Sequence, residues 1–297
     1  MIRDTLELNA STEKETVWEL ITPEIALAYL KLNDPHNRGI KPSSVENFAR
    51  MIRRGEFKTT HQGIAFLQDG HLGDGQHRMF GVVRAGEPVK IQVTRGMTRE
   101  ELMAVDQGAK RTIKDVLTIS EPVDPDTNDA MNNQKIISAL TQLVNVGYKR
   151  MQLSSFDLKR LYDMFEEQAV FLYENIVTRK YANNCTAAVF AASIAALYCG
   201  VHKDVIKKFF DVYSSADISG CDDLNVQAAL NWRHQVDSMK ARHASIDKTK
   251  MYLSVQNAIW NFANNTNVST IKTPAKPRYD VRIQISNALG ITEDEAA

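Results

Sequence analysis

The stretch Gly73-Asp74-Gly75-Gln76-His77-Arg78, followed by Met79-Phe80-Gly81-Val82-Val83-Arg84-Ala85-Gly86, joins a tight glycine turn to a short amphipathic helix. The turn opens directly into the helix, so an arginine lies on the first helical turn. Free backbone N–H groups and the positive end of the helix dipole favour an anion there. The planar guanidinium of Arg78 could add two hydrogen bonds to the same anion. The pattern therefore predicts a phosphate-binding turn.

A simpler interpretation of the same turn stays open. Asp74 could cap the helix, Gly75 could serve only the tight turn, and Arg78 could form a surface ion pair. His77 beside Arg78 favours the anion site, because two potentially cationic groups on one helical turn repel unless an anion lies between them. A histidine taken alone is more typical of a hydrogen-bonding group than of a catalyst.

The overall composition is typical of a globular protein and argues against the disordered, secreted and membrane classes. The 297 residues include 36 Lys and Arg and 36 Asp and Glu, so the formal net charge is zero. A polyanionic partner would therefore need a local basic patch. The three cysteines, Cys185, Cys199 and Cys221, lack metal-ligand spacing and indicate thiols in a reducing compartment. Without a signal peptide or a membrane-length apolar run, we expect a cytoplasmic protein with no membrane contact.

Residues 1–118 are predicted to form a small domain that alternates short helices with short strands. The glycine turn lies between a strand and a helix of this domain. Five local signals set the other elements: helix starts at Thr22-Pro23 and Pro42, a hairpin turn at Asp69-Gly70, a strand at Val89–Val93, and a capping box at Thr98–Glu101.

Residues 119–297 are predicted to form a helical domain that follows a polar, proline-containing bridge. Apolar residues recur at helical spacing over most of its length, which predicts helices near 133–148, 155–180, 184–199, 203–215, 223–243, 247–264 and 281–289. The predicted fold class is α+β, with a small mixed-sheet domain followed by an all-α domain.

Two further groups of polar residues accompany the turn. Arg38 lies in a loop before a basic helix, where its side chain is available to a ligand. Asp106-Gln107 and Arg111 follow a later helix, where Asp106 could meet Mg²⁺ or a hydroxyl group and Arg111 a phosphate. The alternative for this second group is a helix C-terminus whose cations, Lys110 and Arg111, interact with the helix dipole.

The order and spacing of these residues resemble the ParB/sulfiredoxin superfamily over residues 20–117. The resemblance rests on Asn33-x-x-x-Asn37-Arg38, a helix ending in glycine, a strand pair, and Gly75-Gln76-His77-Arg78. The D-G-Q-H-R form of the last element is similar to that of many phage and bacterial ParB-like proteins. Asp106-Gln107 follow at about the place of the acidic–amide box of ParB proteins. The resemblance implies a small α+β nucleotide-binding fold.

The same resemblance implies a nucleoside triphosphate, CTP or ATP, bound with Mg²⁺. ParB proteins bind CTP with Mg²⁺ and act as DNA clamps, whereas sulfiredoxin uses ATP. By position, Asp106 would approach the metal. The implied catalytic candidates are Asp74, Gln76 and His77. The implied phosphate-binding residues are Arg38, Gly73, Gly75, Arg78, Gln107 and Arg111.

Gln76 departs from both family patterns. It occupies the position of the catalytic cysteine of sulfiredoxin and of the glutamate of typical ParB proteins. Thiol chemistry is therefore not expected, and carboxylate-assisted hydrolysis lacks this glutamate, although Asp74 is nearby. The leading prediction is a Mg²⁺-dependent nucleotide-binding protein, a slow NTPase or phosphotransferase, in a DNA-related phage or mobile-element process in the host cytoplasm. A DNA nuclease or DNA-modifying enzyme on the same fold, and a non-enzymatic DNA- or protein-binding module, stay open, as does a homodimer.

Overall fold

The computed structural model describes residues 7–60, 62–104, 130, 133–147, 151, 153–177, 186–241 and 247–291. These residues form a mixed α+β protein that is mostly helical and contains one four-stranded sheet. The chain divides into two compact units, residues 1–110 and 111–297. The predicted domain boundary at residue 118 lies outside the described residues and stays a prediction.

The sheet of the first unit is mixed and has the strand order β1-β4-β2-β3. Its strands are β1 (Glu15–Ile21), β2 (Ile64–Leu67), β3 (Leu72–Asp74) and β4 (Val89–Met97). β1 is antiparallel to β4, β2 is parallel to β4, and β2 and β3 form an antiparallel hairpin. The predicted hairpin and the predicted strand of β4 are therefore confirmed. Strand β1 was not predicted, because its acidic and exposed residues show no clear alternation.

Four helices of the first unit are α1 (Pro23–Leu30), α2 (Pro42–Arg53), α3 (Gln76–Ala85) and α4 (Arg99–Ala104). The predicted cap of α1 is confirmed, since the Thr22 hydroxyl accepts a hydrogen bond from the N–H of Ile25 at 3.3 Å. The capping box of α4 is also present: the N–H of Glu101 donates to Thr98 Oγ1 at 3.1 Å, and the N–H of Thr98 donates to Glu101 Oε2 at 3.0 Å. Each helix therefore begins where its local signal predicts.

Helix α3 is the central helix of this unit, because it packs against both α1 and α2. Its residues Met79 and Val82 are fully buried with Phe66 of β2 and Val93 of β4. Gly81 allows the approach of α2, since a Cβ at this position would lie 2.5 Å from the Cβ of Phe48. The core therefore fixes the position of α3 and of the glycine turn that precedes it.

The described part of the second unit is helical. Its helices are α5 (Gln134–Gly147), α6 (Ser155–Leu172, continued as a π-helix over Tyr173–Val177), α7 (Ala187–Tyr198), α8 (Lys203–Ser215), α9 (Val226–Ala241), α10 (Lys248–Ala263) and α11 (Arg282–Leu289). The predicted helices are confirmed, with small differences at their ends. The side chains of 188–197 in α7 are all buried, which explains why this helix is apolar on every side.

The segment between α10 and α11 is held by amide side chains. Gln256 clamps the backbone of Tyr279: its Nε2 donates to the carbonyl at 2.9 Å and its Oε1 accepts from the N–H at 3.1 Å. Asn257 Nδ2 donates to the carbonyl of Lys272 at 3.0 Å. The segment is rich in polar residues, but it also buries Ile271.

The structure bears on two of the composition-based expectations. Cys199 and Cys221 are free thiols, and Cys185 lies outside the described residues. Among the described helices, none combines the length and the hydropathy that a membrane crossing requires.

Candidate functional site

The glycine turn links the end of β3 to the start of α3. Gly75 is the N-cap residue of α3 and has φ +103°, in the left-handed region that favours glycine. A Cβ at this position would also lie 2.8 Å from the Cβ of Ile64. No side chain caps the helix, so the interpretation of Asp74 as its cap is wrong. The predicted tight turn is confirmed, and the backbone at the start of α3 is left for another partner.

Arg78 ties α3 to the sheet. Its guanidinium donates to the carbonyl of Gly63, just before β2, and its Nη1 lies 3.5 Å from Oδ2 of Asp74. The backbone is crowded at Gly63, where a Cβ would collide with the carbonyl oxygen of Gln92. The ion-pair interpretation of Arg78 is therefore confirmed, and this arginine helps to hold the turn in place.

Gln76 holds the loop between α1 and α2 against the turn. Its Nε2 donates to the carbonyl of Arg38 at 2.6 Å, and its Oε1 accepts from Asn33 Nδ2 at 3.3 Å. Asn37 Nδ2 donates in turn to Asn33 Oδ1 at 2.9 Å and to the carbonyl of Leu72 at 2.8 Å. The Gln76 side chain is buried. This amide network places the backbone of Arg38 directly beside the first turn of α3.

His77 makes a second contact to the same loop. Its Nε2 accepts a hydrogen bond from the backbone N–H of Lys41 at 3.0 Å, so its ring proton is on Nδ1. Burial lowers the pKa of His77 below its usual value, and the positive charges of Arg38, Lys41 and Arg78 lower it further, against a smaller opposing effect of Asp74. A neutral His77 does not repel Arg78, so this pair does not by itself require an anion.

An ion pair that the sequence did not indicate fixes the base of the loop. Asp34 is buried, its Oδ1 accepts from the N–H of His36 at 2.7 Å, and its Oδ2 lies 2.7 Å from Nη2 of Arg99. Burial alone would raise the pKa of Asp34, but the N–H of His36 and the guanidinium of Arg99 outweigh it and lower that pKa. The sequence Asn33-Asp34-Pro35 predicts a turn. It does not indicate that Asp34 pairs with Arg99, which lies 65 residues later in the chain.

The structure brings together most of the predicted site residues. Gly73, Asp74, Gly75, Gln76, His77 and Arg78 form the turn, and Arg38 joins them through Gln76. Lys41 joins them as well and was not predicted. Asp106, Gln107 and Arg111 lie outside the described residues, so their roles stay predictions. Within the described ranges, no group of three or more His, Cys, Asp or Glu residues could hold a metal ion.

Comparisons of the chain with family models, curated proteins and solved structures give no match. The geometry and the charges around Gly75 are therefore what indicates a function for this chain.

The first unit should lose stability as the pH falls below about 6.5, because His77 is held neutral in the fold. In the unfolded chain this histidine takes up a proton near its usual pKa, so acid favours unfolding until the lower pKa of the folded state is reached. The contribution of one histidine to the free energy of unfolding changes by at most about 1.4 kcal/mol per pH unit.

Urea unfolding between pH 7.5 and 5.5 measures this pH dependence. His77→Gln, which keeps an acceptor without titrating, should show a shallower pH dependence; equal slopes would contradict the assignment.

Proposed function

We propose that the first unit binds the phosphate groups of a nucleoside triphosphate, together with Mg²⁺, at the start of α3. One observation carries the proposal: positive charge converges on a helix N-terminus that no side chain caps. Arg38, Lys41 and Arg78 are all close enough to His77 for their charges to lower its pKa. Backbone N–H groups at a helix start and nearby cations are the donors that phosphate oxygens require.

The contacts indicate that some residues of the site would bind phosphate and that others hold these residues in position. Arg38 and Lys41 have exposed side chains and would supply charge to the phosphates. Gln76 and His77 hold the loop that carries these two cations. Arg78 maintains the turn through Gly63 and Asp74.

Asp74 is the carboxylate of the turn that would meet Mg²⁺. Its side chain is partly exposed and already faces one cation, Arg78, at 3.5 Å. One carboxylate is compatible with this metal, because Mg²⁺ in nucleotide sites is commonly bound by one or two carboxylates, substrate phosphates and water. The metal would neutralise phosphate charge. Asp106, the predicted metal ligand, lies outside the described residues and stays a prediction.

A thermal-shift series tests the proposal. Wild-type protein is heated with CTP or ATP, each with and without Mg²⁺, and we expect one nucleotide with Mg²⁺ to raise the melting temperature by several degrees. A ligand at a hundredfold excess over its Kd stabilises the folded state by about 2.7 kcal/mol. Arg38→Ala and Lys41→Ala should each reduce the shift. Lys41→Ala keeps the backbone N–H of residue 41, which donates to His77 Nε2, so the hydrogen bond between the loop and α3 is retained.

Lys90→Ala is the matched control for these variants. Lys90 is an exposed cation of the same unit, and it alternates with the buried Ile91 on β4, so it faces away from the core. Its removal should leave the shift unchanged. Arg78→Ala is a poorer probe, because it also removes the contacts to Gly63 and Asp74. The proposal is wrong if no nucleotide changes the melting temperature in the presence of Mg²⁺.

The second candidate is a module that binds the nucleotide without hydrolysing it. The hydrogen bonds of Gln76 and His77 favour this candidate. Both ends of the Gln76 amide and the Nε2 of His77 are already bonded to the loop, which supports a positioning role. Phosphate release from the bound nucleotide separates the two candidates. An NTPase should release phosphate in a Mg²⁺-dependent manner and lose this activity in Asp74→Asn, whereas a binding module should release none.

A further inference from the structure

Strand β1 is an edge strand with little of the usual protection. It pairs with β4 along all seven residues, from Glu15↔Arg95 to Ile21↔Val89, with no shift of register. In the sheet order it has no neighbour on its other side, so alternate backbone N–H and C=O groups point away from the described sheet. Natural edge strands are commonly protected by proline, charged side chains (lysine above all), a bulge or short length. β1 contains no proline, lysine or bulge and is of ordinary strand length. Its charged residues are Glu15 and Glu19, and Glu19 is paired with Arg95 at 2.7 Å within the sheet.

Large apolar side chains are exposed along this strand. Side chains alternate between the two faces of a strand, and Ile21 is buried in the core. Trp18 and Leu20 therefore share the opposite face, which points away from the core. Trp18 is 49% exposed and Leu20 is 61% exposed. Trp18 and Leu20 are neighbours on this face and form a contiguous exposed apolar patch, which is the kind of surface that marks an interaction site.

We propose that β1 pairs antiparallel with β1 of a second copy of this chain, about a two-fold axis through Trp18. In this register Trp18 lies opposite the partner's Trp18, and Thr16 lies opposite the partner's Leu20. Glu15 lies opposite the partner's Ile21, and Val17 lies opposite the partner's Glu19. All seven residues are paired. The tryptophans and leucines of the two copies form one apolar strip on the open face, which cross-strand contacts stabilise.

The charges of β1 select this register over its neighbours. A two-fold axis that keeps each side chain on its face of the sheet passes through a residue, and the axes nearest to Trp18 pass through Val17 or Glu19. The axis through Val17 places Glu15 opposite the partner's Glu19, and the axis through Glu19 places two Glu19 carboxylates opposite each other. Like charges directly opposite are destabilising. The axis through Trp18 avoids both conflicts, so the strand can pair along its whole length with no like charges directly opposite.

Sedimentation velocity of the full chain over a range of concentrations tests the proposal, with no nucleotide present. We expect a dimer for the wild type. Trp18→Lys places two like charges at the axis and should raise the dimer Kd by at least about tenfold. Trp18→Glu should do the same. An equimolar mixture of the two variants should recover the dimer, because residue 18 of one copy faces residue 18 of the other.

Ile283→Lys is the control, because Ile283 of α11 is 74% exposed and lies outside β1. It should leave the dimer unchanged, and circular dichroism should show every variant folded. A wild-type chain that stays monomeric at all concentrations overturns the proposal and leaves the edge for a strand of another protein. A Trp18→Lys dimer as tight as the wild type also overturns it. Failure of the mixture to associate overturns the axis through Trp18.

Discussion

Replacing Gly75 by alanine should destabilise the first unit by about 2–5 kcal/mol and remove nucleotide binding at the turn. Gly75 has φ +103°, a conformation that costs a residue with a Cβ about 1–2 kcal/mol. The new methyl group would also lie 2.8 Å from the Cβ of Ile64 and 3.2 Å from its Cα, within the buried start of β2. Overpacking of this kind adds about 1–3 kcal/mol. Relief of the clash would shift the start of α3, and with it the proposed phosphate site.

Gly86→Ala separates the two causes. Gly86 follows the other end of α3 and also has a positive φ, +75°, but a Cβ there would meet nothing within 4 Å. This variant should therefore lose about 1–2 kcal/mol from backbone strain alone and keep nucleotide binding. Urea unfolding gives the two free energies, and the thermal-shift series gives binding. Equal stability of the two variants would show that the contact with Ile64 contributes nothing.

Replacing Phe209 by alanine should destabilise the second unit by about 3–5 kcal/mol, because it leaves a cavity between α8 and α10. Phe209 is fully buried. Its ring centroid lies 5.5 Å from that of Phe262 of α10 in an edge-to-face arrangement, and 6.1 Å from those of Phe210 and Tyr213. The substitution removes the transfer free energy of the ring and all three aromatic contacts.

Phe156→Ala is the matched control for this variant. Phe156 lies at the start of α6 and is exposed, so its loss should cost less than about 1 kcal/mol. Urea unfolding followed by far-ultraviolet circular dichroism reports on the helices of the second unit. Similar midpoints for the two variants would contradict the assignment of Phe209 to the core.

Local signals located most of the elements, because each acts over a few residues. The Thr22 cap, the Thr98–Glu101 capping box and the Asp69-Gly70 turn all form within the segments that contain them. The long apolar run of α7 likewise predicts a buried helix without reference to its neighbours. The residues of the glycine turn were found in the same way, since glycine is required by the backbone conformation at Gly75.

Partners distant in the sequence account for what the patterns missed. Gln76 was predicted as a catalytic candidate, a role that stays a prediction, but its contacts hold a loop 38 residues earlier in the chain. Arg78 was predicted to contact phosphate, which stays a prediction, but its guanidinium donates to the carbonyl of Gly63, 15 residues earlier. Strand β1 is paired only with β4 in the described sheet, and β4 lies far from it in the sequence. No local pattern encodes a partner of this kind.

The amino-acid sequence alone therefore determined the positions of the helices, the hairpin and the glycine turn, because hydrogen bonds and steric limits between near neighbours decide them. Only the tertiary structure decided which cations meet at the turn. It joined Arg38 and Lys41 to Gln76 and His77, neutralised His77 by burial and left β1 at an edge. These features depend on contacts between residues that are far apart in the sequence. The order of residues along the chain does not show which of them come together, so these contacts could not be predicted from it.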